Sequence, residues 1–298
     1  MSDTTPALDE AFERMAAASF ELPNGFVNHG AMACEALAVL DCADDIDSWA
    51  RRFARAGGAR IEPVAPAGFE WRQALGSYDH LPEWIGYFAR AIDDEGWAGV
   101  VQAWVPRLMP ALRTALFHGA IRTAHAVRAI DAVDTAPRRG ELARALGYWA
   151  ARYRAGQPAG AQGPGDDSRT AVIRAAADGA RRYLARPNIL HLHGVTGAMA
   201  VEILIGHIPA TAAADALAQL HADHTYERMP WAPRLAETGK RGLGAEVRIL
   251  GIDPDAAERR AREGGFTVLV PTRDWPHGWR DCILEDPDGY TFAVGTPL

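Results

Sequence analysis

The stretch Ala245-Glu-Val-Arg-Ile-Leu-Gly251 alternates side-chain character residue by residue, the period of a half-buried strand. Asp253 and Pro254 follow it as a helix cap and a first-turn proline, and the helix they open, 254–263, closes on Gly264 and Gly265. Three further strand-like segments come next, 266–270, 279–284 and 290–294. The last two are joined by Asp286-Pro-Asp-Gly289, where proline presets one turn dihedral and glycine permits positive φ. The tail is therefore expected to be a single β-α-β-β-β unit.

Everything upstream follows a different period. Apolar residues recur three and four positions apart over 8–20, 30–40, 44–56, 81–92, 95–103, 106–131, 138–154, 169–185, 188–207 and 210–226, which predicts helices. A turn from Leu22 to Asn28 separates the first two, with Asn28 as cap of the second and His29 in its first turn. The third ends at Gly57 and Gly58. Residues 155–168 are rich in Gly and Pro and read as a flexible loop. No internal repeat and no heptad run occurs. The expected fold is mainly α: a multi-helix domain over 1–235, then a small α/β (βαβββ) module over 244–298, with the break near 229–243.

The bulk properties narrow the function. A chain of 298 residues that is 48% hydrophobic can bury two cores. Its net charge of -7 leaves no basic excess to offset a phosphate backbone, so nucleic acid is not an expected partner. Three cysteines, Cys34, Cys42 and Cys282, make neither a disulfide framework nor a Cys-rich zinc site, which points to a reducing cytoplasm. The N-terminus is acidic where a signal peptide would be basic and apolar. The longest apolar run, Ile189 to Pro209, is interrupted by His191, His193, Glu202 and His207, so no membrane span is expected.

Ten histidines stand out in this inventory. His118, Arg122 and His125 lie at i, i+4 and i+7, within one narrow stripe of a helix. Two imidazoles so placed can both reach a metal held between helices, and an Arg between them can hold an anionic oxygen of a substrate or a carboxylate across the bundle. Equally, each His can simply cap a backbone group or pack in the core. His191 and His193 are two residues apart and face nearly opposite sides, so at most one joins the pair. His29 opens the helix that carries Cys34 and Glu35, while His224 and Glu227 are three apart and can share a site or form an exposed pair. Trp49, Trp84, Trp97, Trp104, Trp149 and Trp231 suffice to line an apolar pocket or to fill a core. The dinucleotide, phosphate-loop, nucleophile-elbow and H-E-x-x-H signatures do not occur, so no flavin is expected.

The strings Phe20-Glu-Leu22, Asn28-His-Gly-Ala-Met-Ala33, Trp104-Val-Pro-Arg-Leu108, His118-Gly-Ala-Ile-Arg-Thr-Ala-His125 through Arg128, Arg139-Gly-Glu-Leu-Ala143, Tyr148-Trp149 and His193-Gly-Val-Thr196 occur in order. In these the chain resembles the questin oxidase-like family over about residues 8–226. That resemblance implies a helical oxidoreductase, a flavin-free Baeyer-Villiger-like or ring-cleaving oxygenase of an aromatic polyketide or anthraquinone-like substrate. It further implies non-haem Fe(II), dioxygen, and NADPH as a reductant, with four histidines and a carboxylated lysine around the iron. Carried over by motif, the ligand histidines are His29, His118, His125 and His193, and Arg122 orients a phenolate or the oxygen. Asp223-His-Thr-Tyr-Glu227 resembles the family's D-H-x-x-K string with Glu in place of Lys, which makes Glu227 and its neighbour His224 the remaining candidate metal ligands.

The tail separately resembles one module of the vicinal oxygen chelate superfamily, which contains glyoxalases and bleomycin-resistance proteins. Its last strand, Tyr290 to Val294, lacks the acid that metal-using members place there. Because such modules work in pairs, a lone one is expected to form a homodimer or to pack on the helical domain. The alternative is a non-catalytic protein that binds an aromatic metabolite or antibiotic in this module.

Overall fold

A computed structural model describes residues 4–22, 26–55, 60–65, 68–155, 168–221, 246–275, 278–287 and 289–298. The helices are α1 (Thr5–Arg14), α2 (Gly30–Val39), α3 (Ala43–Arg55), the single turn α4 (Trp71–Ala74), α5 (Leu81–Glu95), α6 (Trp97–Leu108), α7 (His118–Ala132), α8 (Ala136–Ala151), α9 (Ser168–Ala185), α10 (Ile189–Ile205) and α11 (Ala210–His221). They are followed by β1 (Glu246–Leu250), α12 (Pro254–Glu263), β2 (Thr267–Trp275), β3 (Trp279–Glu285) and β4 (Thr291–Pro297). The protein is thus mainly helical with a small α/β module at its C-terminal end. No helix among the described residues is long and apolar enough to cross a membrane.

The chain divides into two compact units, Met1–Asp178 with His193–Asp223, and Gly179–Leu192 with His224–Leu298. In the first, α8 is buried around nearly its whole circumference and packs against α1, α5 and α7. Its small residues, Ala143, Ala145, Gly147 and Ala150, allow neighbours to approach on several sides, as a central helix requires. Helices α1, α2 and α3 share a core of Leu8, Phe12, Met15, Cys34 and Ile46 that reaches Ala129 on α7. Trp84, Trp104 and Trp149 are buried in this unit and act as packing. Trp231 lies outside the described residues.

The helix expected over 106–131 is two helices. α6 stops at Leu108, Met109–Ala111 form a 3₁₀ turn around Pro110, and the chain then passes through Ala115, Leu116 and Phe117 with φ of 49°, 54° and 65° before α7 begins. Proline lacks the amide that would continue the helix, and the left-handed run redirects the chain. The second helix also starts differently from expectation: His29 is its cap residue, while the Asn28 Oδ1 accepts from the Gly30 amide at 2.9 Å. The end of α3 at Gly57 and Gly58 falls outside the described residues.

In the α/β module the sheet order is β1-β4-β3-β2, with β1 parallel to β4 and the other pairs antiparallel. The Asp253 side chain accepts from the Asp255 amide and caps α12, which packs on β2, β3 and β4. β2 runs further than the expected 266–270; it carries Pro271 and two register shifts, which an edge strand tolerates.

Candidate functional site

Three imidazoles meet in the helical unit. His29 precedes α2, His118 begins α7, and His193 lies in the first half of α10. Their ring nitrogens lie within 4.8 Å of one another; His118 Nε2 is 2.9 Å from His29 Nε2 and 3.2 Å from His193 Nε2. His118 and His193 are buried, whereas His29 is exposed.

Each ring is placed by local sequence. The Asn28 side chain donates to the Ser19 and Phe53 carbonyls, pinning the start of α2, and a Cβ at Gly30 would fall 2.5 Å from the Phe53 Cβ. His118 follows the left-handed turn, and its Nδ1 donates to the Ala115 carbonyl at 2.5 Å. Each left-handed non-glycine residue costs about 1–2 kcal/mol, so the turn holds local strain directly before the His118 ring. On α10, a Cβ at Gly197 would fall 2.5 Å from the Phe117 ring, so the absent side chain permits the approach that brings His193, one turn earlier, to His118. Of His191 and His193, the structure brings His193 into the group. At the start of α10, Asn188 Oδ1 accepts from the Leu190 and His191 amides, and His191 Nδ1 bonds the Arg186 carbonyl.

The three nitrogens could hold a cation. With Nδ1 protonated and donating, His118 Nε2 carries a lone pair. A His29 ring nitrogen likewise bonds the Val27 backbone, leaving a lone pair on the nitrogen that faces His118. Two lone pairs 2.9 Å apart repel unless a cation lies between them. Adjacent ligands about 2.0–2.1 Å from one first-row metal stand about 2.8–3.4 Å apart across octahedral and tetrahedral shells, a span that takes in the two separations from His118, while the whole group lies within 4.8 Å. Burial lowers the His118 pKa to about 4, against the raising bond to Ala115, and neighbouring His193 and His29 add to the effect. Desolvation also lowers that of His29, with repulsion from His193, Arg122 and His125 in the same direction. Both rings are therefore neutral at neutral pH, the form a metal ligand needs.

The other candidates occupy different positions. Of the two roles open to Arg122, the structure shows the carboxylate across the bundle. Its Nε and Nη2 donate to Glu141 at 2.7 and 2.9 Å, both residues are buried, and its guanidinium carbon stands 4.4 Å over the Phe20 ring. Arg122 is thus one half of a buried ion pair. His125 is outside the three-nitrogen group; its Nδ1 bonds Glu35 Oε2 at 2.5 Å, and Arg128 grips the same carboxylate through Nε at 2.6 Å and Nη2 at 2.5 Å. Although burial pushes the Glu35 pKa up, these partners bring it below the usual carboxylate value. His224 and Glu227 lie outside the described residues. Glu35, Arg128 and Glu141 are site-adjacent residues not singled out by spacing, although an acid inside the apolar run Gly30-Ala-Met-Ala-Cys-Glu-Ala-Leu-Ala-Val39 is itself a signal.

Compared with known proteins, the chain matches no family model, no curated protein and no solved structure.

Proposed function

We propose that the chain is a metal-dependent, flavin-free oxygenase of an aromatic, polyketide-like small molecule, in keeping with the questin oxidase-like resemblance. The observation that carries the metal part is the convergence of His29, His118 and His193 with their Nε2 atoms 2.9 and 3.2 Å apart. An all-imidazole set suits zinc, copper, nickel or iron, and the resemblance selects iron(II). Iron bound there would supply the dioxygen chemistry, with NADPH as reductant.

The chain's own residues set the conditions for that chemistry. The Ala115 carbonyl fixes the tautomer of His118, and desolvation keeps that ring unprotonated. Arg122, paired with Glu141, adds positive potential that disfavours protonation of His29. The experiment is oxygen uptake by protein reconstituted anaerobically with Fe(II), presented with hydroxylated anthraquinones with and without NADPH. Uptake that requires iron and forms an oxygenated product supports the reading; none with any such substrate contradicts it.

A second reading, a non-catalytic binder of an aromatic metabolite, draws on the α/β module. A cavity of about 360 Å³ there is lined by Ile249, Phe266, Leu284, Phe292 and Val294, with Arg260 among its polar residues. Stoichiometric anthraquinone binding by metal-free protein, abolished by Phe292→Asp and without turnover, would favour it.

A further inference from the structure

In the α/β module, α12 packs on β2, β3 and β4, and on the β1 side a cavity of about 360 Å³ remains between helix and sheet. Its floor is one face of the sheet: Ile249 stands opposite Val294, and Phe292 opposite Leu284. Cys282, opposite Val294 in the same row, donates its thiol to the Pro254 carbonyl of α12, so this is the face beneath the helix. The helix contributes Ala257 and Ala261, one turn apart, whose small side chains leave room that a leucine would fill. The volume lies at the lower end of the range for small-molecule pockets, and Phe266 and Phe292 suit a planar ring.

Three charged residues line this apolar space. Asp286 Oδ1 accepts from the Tyr290 amide at 2.9 Å within the turn between β3 and β4, and Glu285 is also partnered. Arg262 is paired with Glu258, and Arg280 with Asp255 and Asp274, whereas Arg260 has no ion pair among the described residues. An apolar cavity whose cation alone lacks a partner complements a ring body carrying one anionic group, which a guanidinium binds through two parallel hydrogen bonds. We infer that the cavity is a binding site for an aromatic monocarboxylate, with Arg260 selecting the anion. The inference rests on the second reading above, is independent of the metal group, and adds to that reading the charge of the ligand and the residue that recognises it.

The test is calorimetric titration of the metal-free full chain with 2-naphthoate, the neutral 2-naphthamide and the cationic 2-naphthylmethylamine, for the parent, Arg260→Met and Ala257→Leu. The inference expects the parent to bind the carboxylate about 3–10-fold more tightly than the amide, the span of a partly exposed charge-assisted contact, and the amine more weakly than either. Arg260→Met, a change at an exposed position, should bring the carboxylate down to the amide and leave the amide unchanged. Ala257→Leu should weaken both by filling the space; if it does not fold, Arg260→Met decides. Equal binding of carboxylate and amide by the parent, tighter binding of the amine, or a preference for the carboxylate that survives Arg260→Met would overturn the inference and leave the second reading standing. Binding that a folded Ala257→Leu does not alter, or a parent that binds none of the three, would overturn both.

Discussion

The helical unit and the α/β module treat charge in opposite ways. In the first, Glu35, Arg122, Glu141, Arg138 and Arg144 are buried, and His118 and His193 are buried beside them. In the second, Asp281 is the buried acid among the described residues, while Arg280 with Asp255 and Asp274, and Arg262 with Glu258, form their ion pairs at the surface. The module is stabilised in the ordinary way, by a helix laid over one face of a sheet. The helical unit accepts the desolvation of several charges and a left-handed turn beside a small group of imidazoles.

The largest effect that would sharpen this contrast is at Arg122. Arg122→Met leaves the Glu141 carboxylate buried and unpaired, and urea unfolding should show a loss of about 3–5 kcal/mol. Replacing both partners by apolar residues should recover most of it. A loss below about 1 kcal/mol for the single change would mean that the pair is solvated and that the contrast fails.

Next in size is the response to acid. His118 is buried and neutral with a pKa of about 4, against 6.5 when exposed. Between those values the unfolded chain binds more protons than the folded one, so stability rises with pH across this window and is lost on acidification. For metal-free protein the difference is on the order of 3 kcal/mol, with His29 acting in the same sense. His118→Gln should flatten the profile between pH 4 and 6.5; an unchanged slope would place the acid sensitivity elsewhere.

A smaller effect is expected at the left-handed turn. Ala115→Gly relieves a positive φ of 49° and should stabilise the chain by up to about 1 kcal/mol in chemical unfolding. Destabilisation would show that the turn is unstrained. Smallest of all, Arg280→Met in the module removes only exposed pairs, and its melting midpoint should coincide with that of the parent.

What was legible in the sequence divides along the same line. In the module each element announces itself locally: Asp253 and Pro254 start α12 where expected, and alternation marks β1. In the helical unit the periodicity located most helices, but it ran through 109–117 without a break. Ala115, Leu116 and Phe117 disfavour the left-handed region, so no local signal marks a turn that tertiary packing imposes. The stripe of His118, Arg122 and His125 was visible, yet their partners differ: one ring meets two histidines, the Arg meets Glu141, and the other ring meets Glu35. Spacing along one helix identifies a face; the elements packed against that face, distant in sequence, decide what each residue does. His193 is a different case: two residues from His191 in the sequence, it is the one of the two that joins the group, which spacing alone left open.

The central claim is the proposal that His29, at the cap of α2, His118 of α7 and His193 of α10 hold one metal ion together. The most direct test is the metal content of anaerobically purified and Fe(II)-reconstituted protein, for the parent, His118→Ala and His193→Ala, with folding checked by circular dichroism. The account predicts about one tightly held ion per chain in the parent and none in either variant, with the helical signal retained. A parent that holds no metal, or folded variants that hold it as well as the parent, would contradict it.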